Sequence, residues 1–164
     1  MKKIAGLIIL AVVLAACQTQ KKQWWGASPE IDLIKKMDEA FVAGDLVAYR
    51  AAFADTTKVW FNQWTGTPVS PDSLVSGLKA TRATLTSLKM NAPYYEMIEN
   101  DDGERMVHRW IMWEATLTSG KSYTWSSNAD FIVADGKIRT AYYIFNALPG
   151  YQANQPDPAP ASTK

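Results

Sequence analysis

The chain has 164 residues, a formal charge of +1 and 48% hydrophobic residues. That size and balance fit one globular domain and exclude a basic nucleic-acid surface or a strongly acidic interaction run. One cysteine, Cys17, and one histidine, His108, leave no internal disulfide, no thiol catalyst in the folded part and no metal centre built on those ligands.

The first sixteen residues read as a targeting segment. Lys2 and Lys3 precede a short apolar run over 4–16, too short for an ordinary membrane span. The run ends in Leu14-Ala15-Ala16-Cys17, which resembles the bacterial lipobox. That resemblance implies cleavage before Cys17 and a lipid on its thiol, held at the membrane by several acyl chains. Gln18, in place of the Asp that retains such proteins at the inner membrane, points to the outer membrane in a Gram-negative cell envelope. The expected organisation is a signal peptide over 1–16, a lipidated tether over 17–28, a folded domain over 29–148 and a disordered tail over 149–164. The tail is rich in Pro, Ala and Gln and short of apolar residues. Two readings stand for Trp24 and Trp25 in the tether: rings at the lipid interface, or rings packed on the domain.

Ser28-Pro29 predicts a helix start, and Ile31, Ile34, Met37 and Phe41 follow at helical spacing. Gly44 ends that helix, and Asp45 caps a short one over 46–53. A strand is predicted over 57–63, a loop over 65–70, and a third helix from Ser70-Pro71 to about Leu88, with Leu74, Leu78, Leu85 and Leu88 as its buried stripe. Strands follow over 91–100, 104–118, 121–133 and 137–146. Asp102-Gly103, Ser119-Gly120 and Asp135-Gly136 are the hairpin signals between them.

With two-residue turns throughout, Glu114 pairs with Trp125, Arg109 with Asp130, and Trp125 with Asn146. Alternation then separates two faces. One carries His108, Trp110, Met112, Glu114, Tyr123, Trp125, Phe131, Tyr142, Ile144 and Asn146. The other carries Val107, Arg109, Ile111, Trp113, Asn128, Asp130, Ile132, Arg139, Tyr143 and Phe145. The element order predicts an α+β fold with the helices on one face of a curved antiparallel sheet.

Three places carry a resemblance to a known family. They are Phe41-Val-Ala-Gly-Asp-Leu46 with Tyr49, Phe53 and Asp55; Val107-His-Arg-Trp110; and Phe131-Ile-Val-Ala-Asp-Gly-Lys-Ile138 with Tyr142 and Asn146. Over about 29–148 the chain resembles the SnoaL-like branch of the nuclear-transport-factor-2-like (NTF2-like) superfamily, which includes polyketide cyclases and ketosteroid isomerases. The resemblance implies a cone-shaped α+β barrel, a curved antiparallel sheet wrapping three N-terminal helices around an apolar pocket. It makes the His108 face the pocket side and the Arg109 face the outer side, which such proteins often use for dimers. Several members have a catalytic Asp at the end of the closing strand, where this chain has Asn146. An amide orients a carbonyl but does not take a proton near neutral pH.

The expected pocket is therefore Trp60, Asn62, His108, Trp110, Met112, Trp125, Tyr142 and Asn146. Glu114 is the candidate general base, its carboxyl raised by desolvation among indoles. His108 lies six residues from it on one strand, roughly 20 Å away, so the two form no acid–base pair. Glu96, Arg109 and Asp130 form a charged row that, with Trp113 and Tyr143, suits a homodimer face. No phosphate loop, nucleophile elbow or metal spacing is present, so no cofactor is expected. The leading functional expectation is a lipid-anchored protein that binds a small apolar or aromatic molecule. The alternatives are a cyclase, isomerase or dehydratase using Glu114, and an envelope interaction protein.

Overall fold

The computed structural model describes residues 23–62 and 66–156. The targeting segment, Cys17 and the last eight residues lie outside the described residues.

The elements run β1 (Trp24–Trp25), α1 (Pro29–Ala43), α2 (Leu46–Ala51), β2 (Phe53–Phe61), α3 (Pro71–Ala83), β3 (Leu85–Glu99), β4 (Arg105–Leu117), β5 (Ser122–Ala134), β6 (Lys137–Phe145) and α4 (Leu148–Ala153). The helix starts follow the local sequence. The Ser28 hydroxyl accepts from Ile31 N, the Asp45 carboxylate from Ala48 N, and the Ser70 hydroxyl from Ser73 N. Each satisfies a donor the helix itself cannot use. Gly44, at φ +79°, closes α1, with the Asp45 amide donating back to Ala40 O. Only glycine takes that conformation without strain.

The strands form one sheet in the order β1-β3-β4-β5-β6-β2. It is mixed rather than wholly antiparallel, because β2 runs parallel to β6. Register shifts interrupt β2–β6, β3–β4 and β5–β6. Such bulges bend and twist a sheet locally, and this one curls around the helices. The core sits between, where Ile31, Ile34 and Met37 of α1 meet Val59, Val107, Phe131 and Ile138 of the sheet.

Several expectations need correction. The third helix stops at Ala83, and Leu85 and Leu88 begin the long strand β3. Only Thr86 in the run Leu85-Thr86-Ser87-Leu88-Lys89-Met90 is β-branched, so local propensity does not decide it; pairing with β4, from Leu85–Leu117 onward, overrides the helical spacing. The second strand starts at Phe53. The tail is not disordered from 149, because α4 packs against β5. Trp24 pairs with Ile98 and Trp25 with Met97, so this part of the tether is an edge strand of the domain.

The largest correction is register. Leu117 and Lys121 close the β4–β5 hairpin around three residues, with Gly120 at φ +88°. Asn100 and Glu104 close the β3–β4 hairpin around three residues, with Gly103 at φ +81°. These are turns ended by a left-handed glycine, one residue longer than predicted. Asp135-Gly136 is the two-residue turn expected, both residues at positive φ, but the bulge beyond it also slips β6 by one. Trp125 therefore pairs with Trp113, Asp130 with His108, and Tyr95 with Arg109. A slip of one residue exchanges the faces.

Candidate functional site

Arg109 points inward. Along β4 the residues Val107, Arg109, Ile111, Trp113, Ala115 and Leu117 are all buried. Arg109 is the one charged member of that apolar alternation. It meets Asp38, which stands on the buried stripe of α1 between Ile34 and Phe41 and is 1% exposed. Arg109 Nη1 donates to Asp38 Oδ1, Arg109 Nη2 donates to Ser127 Oγ at 3.3 Å, and the Tyr95 hydroxyl donates to Asp38 Oδ2 at 3.0 Å. Trp113 Nε1 donates to the same Ser127 oxygen at 3.0 Å. The guanidinium carbon lies 5.4, 5.6 and 5.9 Å from the ring centres of Phe131, Tyr143 and Trp113. Cation–π attraction helps hold a desolvated charge there.

Burial pushes the Asp38 carboxyl above the ordinary carboxylate range, with Arg109 and Tyr95 opposing it. Burial is the largest influence on the Arg109 charge and works against it, but Asp38 with Tyr143, Tyr49 and Tyr95 together outweigh it and raise the guanidinium. A guanidinium does not give up its proton in a protein, so its buried counter-charge is Asp38. Beside the pair, the Tyr49 and Tyr143 hydroxyls share a buried hydrogen bond of 2.7 Å. Burial pushes both phenols above the usual range.

Asp38, Arg109, Ser127, Tyr49 and Tyr143 form the floor of a cavity of about 330 Å³. Phe41, Phe61, Trp113, Tyr123, Trp125 and Phe145 wall it, while Leu78 and Thr81 of α3 and Gly150 and Tyr151 of α4 frame its mouth. Trp113 stacks on Trp125 at 6.0 Å and Trp125 on Tyr123 at 5.2 Å, a ladder of rings leading outward from the floor. Gly150 lies against Tyr123, where an added Cβ would sit 3.2 Å from the ring. Volume and lining are those of a small-molecule site, mostly apolar with a few convergent polar groups.

Of the predicted pocket residues, Trp125 and Asn146 line the cavity. Asn146 Oδ1 accepts from Leu148 N at 3.0 Å and so helps set the start of α4. The others lie elsewhere. His108, Trp110, Met112 and Tyr142 face the opposite side of the sheet. His108 Nδ1 bonds Asp130, Trp60 stacks on Tyr142 at 4.9 Å, and Trp110 and Met112 are exposed. Asn62, at φ +52°, accepts from Phe145 N and ends β2. Glu114 is on that outer face as well, 3.4 Å from both Lys89 Nζ and Asn91 Nδ2, not among indoles. In the predicted dimer set, Arg109, Trp113 and Tyr143 are inside the cone. Glu96 and Asp130 remain outside, where Glu96 and Asp130 flank His108 rather than Arg109.

Sequence reasoning missed Asp38, Tyr49, Ser127 and the inward Arg109. A signal existed for the pair. The positions Ile31, Ile34, Asp38 and Phe41 form one helical stripe, and an acid on such a stripe needs a buried partner.

No family model matches the sequence, and no curated protein matches it. Solved structures do. The chain is similar to a Xanthomonas campestris pv. campestris protein described as a polyketide cyclase, with a TM-score of 0.63 and 20% identity over 77% of this chain and 97% of that one. It is similar to an NTF2-like protein of unknown function from Burkholderia pseudomallei K96243, with a TM-score of 0.62 and 18% identity over 79% and 100%. It is also similar to TerC, crystallised with polyporic acid, with a TM-score of 0.60 and 20% identity over 77% and 98%. The fold is thus the NTF2-like cone, an α+β half-barrel with a curled mixed sheet.

Proposed function

We propose that this domain binds a small aromatic molecule between the sheet and α3. The observation that carries the reading is the cavity of about 330 Å³, walled by stacked rings around a buried charge pair. Such a cavity offers an aromatic ligand offset-stacked and edge contacts beyond simple burial. TerC, which shares the fold, was crystallised with polyporic acid. An enzymatic reading with Glu114 as base has no support from the position of that residue. The test uses acetylnaphthalene as probe and the quenching of tryptophan fluorescence as readout. Saturable quenching is expected, and Thr81→Phe, which places a ring at the mouth from an exposed helix position, should abolish it. Absence of quenching, or quenching indifferent to Thr81→Phe, contradicts the proposal.

The lipobox-like Leu14-Ala15-Ala16-Cys17 supports a second element of the proposal, an envelope protein tethered by lipid on Cys17. From Cys17 to Trp24 the chain reaches at most about 25 Å, which would hold the β1 edge near the membrane. Cys17→Ser should lose palmitate labelling and leave the membrane fraction; retention of either contradicts the tether. The outer face supports a homodimer, now through Tyr94, Trp110, Met112 and Ile144, all at least 39% exposed. Aromatic and Met side chains are enriched at interface centres. Trp110→Glu should convert a dimer to a monomer in analytical ultracentrifugation, and an unchanged sedimentation coefficient would count against this face.

A further inference from the structure

Arg109 looks like a clamp for a carboxylate, but its charge is already paired with Asp38. Nη1 serves Asp38 and Nη2 serves Ser127. Nε has no partner among the described residues, yet it is fully covered, and the rings of Trp113, Phe131 and Tyr143 surround the guanidinium. Asp38 and Arg109 are also the only charged residues that line the cavity among the described residues. Their charges cancel. A carboxylate entering this space would leave water for a floor with no net charge, which costs free energy.

The Tyr49–Tyr143 pair has a donor to spare. Each hydroxyl carries one proton and can also accept. One donates to the other, whichever way the bond runs. The proton of the accepting hydroxyl is then left over, because among the described residues neither hydroxyl makes another hydrogen bond. Both residues line the cavity. The Arg109 guanidinium carbon lies 5.6 Å from the Tyr143 ring centre, and its charge acts on both phenols. That arrangement suits an acceptor oxygen on an otherwise apolar molecule.

We infer that the cavity selects an uncharged aromatic ligand bearing a carbonyl or similar acceptor oxygen, read by the leftover proton of the Tyr49–Tyr143 pair, and rejects the anionic isostere. This rests on the proposed binding role of the cavity and adds the chemical class of the ligand.

Three probes of one shape separate the claims: acetylnaphthalene, with a neutral carbonyl; ethylnaphthalene, with none; and naphthoate, an anion. Calorimetric titration should rank acetylnaphthalene first, ahead of ethylnaphthalene by roughly 2–10-fold, the value of one neutral hydrogen bond. Naphthoate should bind weakest. The double variant Tyr49→Phe/Tyr143→Phe removes both partners together and leaves no buried hydroxyl stranded. It should still bind ethylnaphthalene, which reports an intact cavity, and should no longer prefer acetylnaphthalene. Naphthoate binding as tightly as acetylnaphthalene would overturn the inference. So would a double variant that keeps the carbonyl preference, or one that loses ethylnaphthalene binding as well. Failure of all three probes on the unmodified protein would instead remove the binding role itself.

Discussion

Asp38 occupies a core position of α1 where an apolar residue would otherwise stand, and Arg109 is what allows it. Removing one partner from a buried pair strands the other charge, and the cost is about 3–5 kcal/mol. Asp38→Ala should lower unfolding free energy by about that amount in urea titration. The double substitution Asp38→Leu/Arg109→Met, apolar on both sides, should recover most of the loss. A single substitution costing under about 1 kcal/mol would mean that the pair is solvated rather than buried. Ser127 has a related role. It accepts from both Arg109 and Trp113, so it orients an aromatic wall against the charged floor. Asn146 helps set the start of the helix at the mouth, its side-chain carbonyl accepting from the Leu148 amide.

At the scale of elements, the hairpin loops decide which side chains meet. Gly120 stands at φ +88° with open space around its Cβ position, so Gly120→Ala tests backbone conformation alone. Gly77, inside α3, also has open space but helical geometry. Gly120→Ala should destabilise by about 1–2 kcal/mol, since an L-residue resists the left-handed region. Gly77→Ala should stabilise by about 0.5–1 kcal/mol, since alanine loses less freedom on forming helix. Thermal melts of the two variants should move in opposite directions; movement in the same direction would refute this account of the turns. The same loops explain what could be read from the chain beforehand. The runs of Trp, Ile, Val and Tyr around Ser119-Gly120 and Asp135-Gly136 announce long paired strands, and Ser28-Pro29 and Ser70-Pro71 announce helices. The element order follows from these signals, and the cone from the family resemblance. Whether a glycine closes a two- or a three-residue loop is a difference of one residue, and it inverted the assignment of faces. The inward side was still marked, because Val107, Ile111, Trp113, Ala115 and Leu117 form the cleaner apolar alternation. His108, Trp110, Met112 and Glu114 mix polar and apolar residues, as a face outside the core does. Length fails in the same way for α3. Leu74, Leu78, Leu85 and Leu88 fit helical spacing, yet Leu85 and Leu88 belong to β3, where the helix gives way at Thr84.

Across the whole molecule, the curled sheet separates two environments. The inner one holds the charge pair, the tyrosine pair and the aromatic ladder; the outer one holds His108, Asp130 and an exposed apolar strip. The inner environment leaves a pH signature. Burial raises the Tyr49 and Tyr143 phenols above their ordinary value of 10.0. Above that value the unfolded chain releases protons that the folded state keeps, so the folded state binds more of them and stability falls as pH rises. Below it the contribution is complete. The urea midpoint should therefore be steady up to about pH 10 and drop beyond it, and tyrosinate absorbance should show a fraction of the seven tyrosines ionising only as the protein unfolds. Tyrosines that all ionise freely in the folded state would contradict this burial. The most direct test of the central claim, that the helix-facing side of the sheet is the binding side, is an NMR titration of protein labelled with nitrogen isotope on its tryptophan indoles, with acetylnaphthalene as probe. The Trp113 and Trp125 signals should shift together and saturate, while Trp60 and Trp110 stay in place. Shifts confined to Trp60 and Trp110 would put the ligand on the other face and contradict the account.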